Sequence, residues 1–286
     1  MTTTRATTPQ NAAASAVPGT TPDERTGGTV TVGRILRSEL VKLRSVRSTV
    51  YALLVGVLSI LAMGAFMAIG VLVQKTPADG FADAPVDDPT GGSLSGVSLA
   101  LYPIATLGVL AVSSEYASGT IKATLAAAPR RSLLVLGKIL ALVCVVLPAT
   151  LAATLAAFIT AKAVLASAGR GISLGHPGVL RAVVGAALYL TVVAVLAAAF
   201  GWLLRSTAGA LAGLFGVLVL VPALAQLLPK AVGAKVLPYL PDNAGEAILQ
   251  VTPGGEPAPW TGFTIFCAYA AVVTALAAYA LRRRDA

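Results

Sequence analysis

The chain has 286 residues, of which 56% are hydrophobic and 12% are charged, about half the charged share of an ordinary soluble domain. This composition excludes an ordinary soluble domain and indicates a membrane protein. The net charge of +9 is not arranged as a basic stripe interleaved with aromatic residues, so nucleic acid is not predicted as a partner.

The N-terminal residues 1–28 are rich in Thr, Ala, Pro and Gly and lack the apolar stretch of a signal peptide. We predict a disordered cytoplasmic tail over 1–28 and a transmembrane domain over 29–286. Cys144 and Cys267 both lie in apolar segments, and neither has a metal-ligand spacing with His176. No disulfide or metal site is therefore predicted.

An amphipathic helix is predicted over residues 30–48, because the apolar residues recur at helical spacing. These residues are Val32, Ile35, Leu36, Leu40, Leu43 and Val46. Glu39 falls within this apolar face, where an unpaired carboxylate is costly. Two interpretations stay open: Glu39 pairs with Lys42 inside the helix, or it contacts another cytoplasmic element or subunit. We expect the helix to lie at the membrane surface, with its charged residues Arg34, Arg37, Glu39, Lys42, Arg44 and Arg47.

Six stretches are apolar over about the twenty residues that a membrane-spanning helix needs. They cover residues 50–73, 94–114, 133–161, 180–204, 207–228 and 262–281. The second is the least certain span, because Pro103 interrupts it. The predicted fold is an all-α polytopic membrane protein.

The distribution of Lys and Arg predicts the orientation of these spans. With the N-terminus inside, 15 of the 21 basic residues fall on the cytoplasmic side. The outside receives Lys75, Lys162, Arg170, Arg181, Lys230 and Lys235. We therefore expect a multi-pass membrane protein with both termini in the cytoplasm. The excess of Arg over Lys, 14 to 7, and the abundance of Ala favour a bacterial source, and hence the plasma membrane.

Ionisable residues are missing from the middle of every predicted span, whereas ion-coupled carriers usually place such groups at the midplane. The chain also lacks a Walker-type phosphate-binding loop. If it pumps, another chain must supply the energy. Two alternatives stay open: an ion-coupled carrier whose site uses carbonyls and hydroxyls, and a membrane scaffold or sensor linked to an ATPase.

The connection SSEYASGTIKATLAAAPRR, residues 113–131, is polar although it joins two spans. Gly119 breaks the preceding helix, and Thr120 is a suitable N-cap for a new one. Ile121 and Leu125 share one face, and Pro129 ends the segment. We predict a short cytoplasmic helix here that a soluble partner moves; the simpler interpretation is that the Arg pair only signals orientation.

Three stretches carry a family resemblance: RSELVKLRSVRSTVYALL before the first span, EYASGTIKATLAAAPRRSLLVLGKILA after the second, and YLPDNAGEAI before the last. In order and spacing over residues 34–286, they resemble the permease subunits of type-2 ATP-binding-cassette exporters, particularly actinobacterial ones. The resemblance implies that the polar connection forms a coupling helix docked on an ATPase subunit, with the N-terminal helix beside it. The coupling residues so predicted are Glu115, Gly119, Thr120, Ile121, Lys122, Leu125, Pro129, Arg130 and Arg131; Lys138 and Glu39 also match family positions.

The same resemblance implies the partners. They are a cytoplasmic ATPase subunit, which holds the ATP and Mg, and a second permease copy or paralogue, within membrane lipid. The chain itself then binds no cofactor and has no catalytic residue. Its few charges and many apolar residues favour a hydrophobic or amphipathic substrate, such as a drug or a lipid.

Two further expectations concern packing and the long loop at residues 229–261. PDNAGEAILQV is predicted to form a short helix with Asp242 or Asn243 near its cap, and the resemblance implies a gate or cap here; a solvated loop is the alternative. Gly209 and Gly213 form a GxxxG motif, which we expect to pack within the chain.

Overall fold

A computed structural model describes residues 32–73, 89–120, 131–167, 173–251, 255 and 257–284. Regular structure in these ranges is helical. The α-helices are α1 (Val32–Ser45), α2 (Arg47–Val73), α3 (Pro89–Leu94), α4 (Gly96–Ala117), α5 (Arg131–Ala166), α6 (Val179–Leu204), α7 (Thr207–Phe215), α8 (Val221–Ala225), α9 (Lys230–Val236), α10 (Pro241–Glu246) and α11 (Pro259–Arg284). A π-helical turn, Gly216–Leu220, joins α7 to α8, and 3-10 turns lie at Leu237–Tyr239 and Ala247–Leu249.

The prediction of six spans is confirmed. Within the described residues, six helices are long and apolar enough to cross a membrane. They cover Arg47–Gly70, Thr90–Ala117, Ser132–Ala166, Val179–Leu204, Thr207–Ala225 and Pro259–Arg283. Pro103 lies inside α4 without ending it, as neighbouring helices in a bundle allow.

Helix α6 is the centre of the bundle. Of its most apolar window 72% is buried, compared with 22% for α2 and for α11. Helix α4 crosses α6 in close contact, because a Cβ at Gly108 would lie only 2.3 Å from the Ala194 carbonyl oxygen. Membrane-spanning helices associate through such close backbone contacts. Lipid tails are as apolar as the helix side chains, so there is no hydrophobic driving force for association.

The predicted amphipathic helix is present as α1. Its apolar face buries Ile35 and Leu43 and packs along the first turns of α5, where a Cβ at Gly137 would meet the Ile35 side chain at 2.5 Å. Glu39 is buried on this same face. Helix α1 is thereby held to the bundle by packing as well as by its connection to α2.

The segment of residues 229–251, which we call the distal segment, folds into the short helices α9 and α10 and their 3-10 turns. The predicted helix is thus present as α10, with Asp242 and Asn243 in its first turn near the cap, as predicted. Leu240 is the N-cap, and no side chain accepts a hydrogen bond there. Asp242 instead accepts a hydrogen bond from Tyr189, and Asn243 donates one to the Leu237 carbonyl.

The GxxxG motif packs within the chain, as predicted. A Cβ at Gly213 would lie 3.1 to 3.3 Å from the side chains of Leu204 and Phe200 on α6. The predicted tail over 1–28 and most of the predicted coupling helix, residues 121–130, lie outside the described residues.

Candidate functional site

Four charged side chains from three helices meet at the end of the bundle that carries α1, and we call them the charge cluster. Glu39 and Lys42 come from α1, Glu115 from the last turn of α4, and Lys138 from the second turn of α5. The sequence analysis singled out all four positions. Their meeting could not be read from the sequence, because Glu39 and Lys138 are 99 residues apart.

Lys138 is the centre of the charge cluster. Its ammonium donates to Glu39 Oε2 at 2.6 Å, to Glu115 Oε1 at 2.9 Å and to the Ala111 carbonyl oxygen at 2.9 Å. An ammonium has three donors, so these acceptors satisfy it completely. Residue Lys138 is only 2% exposed, and a buried charge needs such complete pairing.

Lys42 closes the charge cluster on its exposed side. Its Nζ lies 2.7 Å from Glu39 Oε1 and 3.0 Å from Glu115 Oε1, while 44% of its side chain stays exposed. The first interpretation of Glu39 is therefore confirmed, since it pairs with Lys42 within α1. Its second partner, Lys138, lies on the membrane-spanning helix α5. Each carboxylate contacts both ammoniums, and the four formal charges cancel.

The ion pairs favour the charged forms of the two α1 residues, Glu39 and Lys42. Burial would raise the pKa of Glu39, but the charges and hydrogen bonds of Lys138 and Lys42 outweigh it, and the pKa lies below its ordinary value. Burial would lower the pKa of Lys42, but hydrogen bonds and charges from Glu39 and Glu115 raise it above the ordinary value. Both shifts favour the charged forms of Glu39 and Lys42 around pH 7.

A cavity of 360 Å³ adjoins the charge cluster. Its walls include Lys42 of α1, Thr49 of α2, Ser114 and Glu115 of α4, and Thr120. Thr120 is the last described residue before the predicted coupling helix. The cavity therefore connects the buried ion pairs with the start of that segment.

The other predicted site residues lie apart from the charge cluster or outside the described residues. Exposed positions are Arg34, Arg37, Arg44, Arg47, Gly119 and Thr120. Gly119 has a φ of +70°, the left-handed conformation with which glycine commonly ends a helix. Ile121, Lys122, Leu125, Pro129 and Arg130 fall outside the described residues, and Arg131 opens α5.

A second link at the same end was missed by the sequence analysis. The Arg205 guanidinium lies 5.5 Å from the centroid of the Tyr116 ring, and Thr207 Oγ1 donates to Ser113 Oγ at 2.8 Å. Arg205 ends α6 with a φ of 52°, a conformation that sequence gives no reason to expect of arginine. The turn between α6 and α7 is thus fastened to the last turns of α4.

The comparisons with known proteins agree with this architecture. The family described as "ABC-2 family transporter protein" matches residues 77–286, which include five of the six spans in full. The matched region is a membrane permease without an ATPase domain. No curated protein matches the chain. On the family match and the six membrane-spanning helices, the chain belongs to the ABC-2 transporter family, in which it is a membrane permease.

Proposed function

We propose that this chain is the permease subunit of a bacterial exporter that carries a hydrophobic or amphipathic substrate. A separate cytoplasmic ATPase subunit would dock on the predicted coupling helix, and a second permease copy or paralogue would complete the pathway. The observation that carries the coupling part is the position of Glu115. It lies five residues before Thr120 and the predicted docking segment, and it pairs with a lysine on each of two other helices.

The charge cluster makes a suitable transmission element. Separating buried ion pairs leaves uncompensated charge, at a cost of about 3–5 kcal/mol when one partner is removed. Because Lys138 is bonded to both α1 and α4, a push on the end of α4 would carry α1 and α5 with it. A fully paired group whose formal charges cancel can move as one unit.

The charge distribution supports a cytoplasmic position for the charge cluster. An even number of spans leaves α1 and the end of α11 on one side, and that side collects 15 of the 21 Lys and Arg residues. Basic residues accumulate on cytoplasmic loops. A soluble ATPase would then reach the predicted coupling helix directly.

The substrate proposal rests on the walls between the spans. A groove of 500 Å³ runs between α5, α6 and α11, lined by side chains such as Val143, Val195, Ala271 and Ala275, with Thr191 and Thr274 as hydroxyls. Charged residues are absent from its described lining. Such a surface favours an apolar or amphipathic molecule over a sugar or an ion.

The first test is a pull-down from detergent-solubilised native membranes. Wild-type chain is compared with a variant whose residues 120–128 are replaced by a Gly-Ser linker, and captured proteins are identified by mass spectrometry. We expect the wild type to retain a soluble chain with a Walker-type loop, and the linker variant to lose it. If a well-inserted wild type captures no ATPase, the proposal loses its energy source and an ion-coupled carrier becomes the better hypothesis.

The second test asks whether Glu115 transmits motion. In a Cys144→Ala/Cys267→Ala background, a Gln250→Cys reporter at the opposite end is labelled with a maleimide, with and without ATP, in the reconstituted complex. We expect Glu115→Gln to preserve ATP hydrolysis but to remove most of the ATP-dependent change in labelling, a loss of coupling of about 1–3 kcal/mol. Ser114→Ala, an exposed neighbour on α4, should behave as wild type. A normal reporter response in Glu115→Gln would remove the role proposed for this carboxylate.

A further inference from the structure

Helix α1 has a second face that the coupling proposal does not use. The face that packs on the bundle buries Ile35, Glu39 and Leu43. The opposite face carries three exposed arginines, which we call the arginine stripe: Arg34, Arg37 and Arg44. With 3.6 residues per turn, these three positions fall within an arc of about 80° on the side away from the bundle. The stripe is therefore accessible along the whole length of α1.

The arginine stripe has no acidic neighbour in the part of the chain that the structure describes. The ion pairs there within 4.0 Å belong to the charge cluster alone. Glu39 is the acidic residue of α1, and it is buried and bonded to two lysines, so it does not neutralise the stripe. Arg34 and Arg37 are one turn apart, where like charges repel each other. An anion bound beside them would relieve this repulsion.

Apolar side chains lie among the arginines. Val41 lies between Arg37 and Arg44 on the same face and is 61% exposed. Val46 and Tyr51 are exposed where α1 passes into α2. Guanidinium groups bind phosphate oxygens in a bidentate geometry, and exposed apolar groups beside basic ones are typical of a helix at the lipid boundary. This combination fits phospholipid better than it fits the acidic surface of a soluble protein.

The connection to the first span keeps the arginine stripe close to the bilayer. Only Val46 separates α1 from α2. The Val46 N–H donates to the Lys42 carbonyl oxygen at 3.0 Å, and the Val50 N–H donates to the Val46 carbonyl oxygen at 3.3 Å, so hydrogen bonds cross the junction. The membrane-spanning stretch begins at Arg47, three residues after Arg44. The end of the stripe thus lies within one turn of a helix that enters the membrane.

We propose that the arginine stripe binds the headgroups of anionic phospholipids, with Val41 in contact with their acyl chains. Such a lipid supplies both the negative charge that the stripe lacks and an apolar neighbour for the exposed valine. Bound lipid would hold α1, and with it the charge cluster, at the membrane surface. The inference goes beyond the proposed function and does not depend on it, because lipid binding by the purified chain needs no ATPase.

The test measures which lipid lies beside Val41. Val41→Trp is reconstituted in bilayers of phosphatidylglycerol and phosphatidylcholine, with one of the two lipids brominated on its acyl chains. Fluorescence quenching then gives the relative binding of the two lipids at this position, after subtraction of the quenching of the parent chain, which has Trp202 and Trp260. Both leaflets have the same composition, so the orientation of the chain does not affect the result.

We expect phosphatidylglycerol to be preferred over phosphatidylcholine by about fivefold or more, because each basic residue near an anionic surface contributes a factor of about five. In the Val41→Trp background, the triple variant Arg34→Gln/Arg37→Gln/Arg44→Gln should remove the preference. High salt should reduce it as well, because exposed charges are screened.

A matched pair of single variants separates the stripe from general surface charge. Arg37→Gln should lower the preference. Arg283→Gln removes the same charge from another exposed position, at the end of α11, and should leave the preference unchanged. All these positions are exposed, so the substitutions should not disturb folding.

Two results would overturn the proposal. Equal binding of the two lipids in Val41→Trp would leave an acidic protein surface as the better partner for the arginine stripe. Equal losses in Arg37→Gln and Arg283→Gln would show that the lipid responds to the total charge of the protein and has no site on α1.

Discussion

Replacing Lys138 by Met should destabilise the protein by about 3–5 kcal/mol, whereas Lys42→Met should cost only about 0–1 kcal/mol. Lys138 is buried and satisfies one acceptor on α1 and two on α4. Without Lys138, Glu39 Oε2 and Glu115 Oε1 lose their closest cation. Lys42 is about half exposed. When Lys42 is removed, both carboxylates are still paired with Lys138. Unfolding free energies in mixed micelles would measure the difference.

A double variant separates the cost of an unpaired charge from a loss of packing. Lys138→Met with Glu39→Met replaces a buried pair by apolar groups of similar volume, which is often nearly neutral, and leaves Lys42 paired with Glu115 at 3.0 Å. We expect it to recover most of the stability lost in Lys138→Met. Equal losses in the single and double variants, or equal losses in Lys138→Met and Lys42→Met, would contradict the pairing argument.

Gly108→Ala should be the most damaging single-methyl addition in the bundle core. The new Cβ would lie 2.3 Å from the Ala194 carbonyl oxygen and 2.8 Å from the Ala197 Cβ, so α4 and α6 would have to move apart. Overpacking of this kind costs about 1–3 kcal/mol or more. The thermal unfolding midpoint in detergent would report it.

Gly70→Ala is the matched control, because it adds the same methyl to a membrane-spanning helix at a site with no atom within 4 Å. Alanine is the better helix former by about 1 kcal/mol, so this variant should melt at or above the wild-type temperature. Similar midpoints for the two variants would mean that the close crossing of α4 and α6 does not limit stability.

The sequence was most informative where the membrane restricts the chain most. Only helices satisfy their own backbone in hydrocarbon, so apolar length alone identifies the six spans. The placement of Glu39 on an apolar face also indicated a buried partner, and Lys42 was within its reach on the same helix.

What could not be predicted depends on contacts between distant residues. Lys138 looked like a charge near the end of a span, and its pairing with Glu39 depends on how α1 packs against α5. Nothing in the sequence indicates that Arg205 contacts Tyr116 or that Asp242 binds Tyr189. Each contact forms only when segments distant in sequence pack together. The role of the predicted coupling helix stays a prediction, because residues 121–130 lie outside the described structure.

The central position of α6 has a consequence for how freely the spans can accept new side chains. Helices α2 and α6 have almost the same mean hydropathy, 2.5 and 2.4, yet 22% of one window and 72% of the other are buried. Lipid accommodates side chains of any shape, so Leu, Ile, Val and Phe are interchangeable over most of α2. The Ala and Gly residues of α6 lie against other helices at closely packed contacts, where a single added carbon atom collides. Two spans of equal hydropathy thus differ widely in their tolerance of random substitution, and a hydrophobicity profile does not reveal the difference.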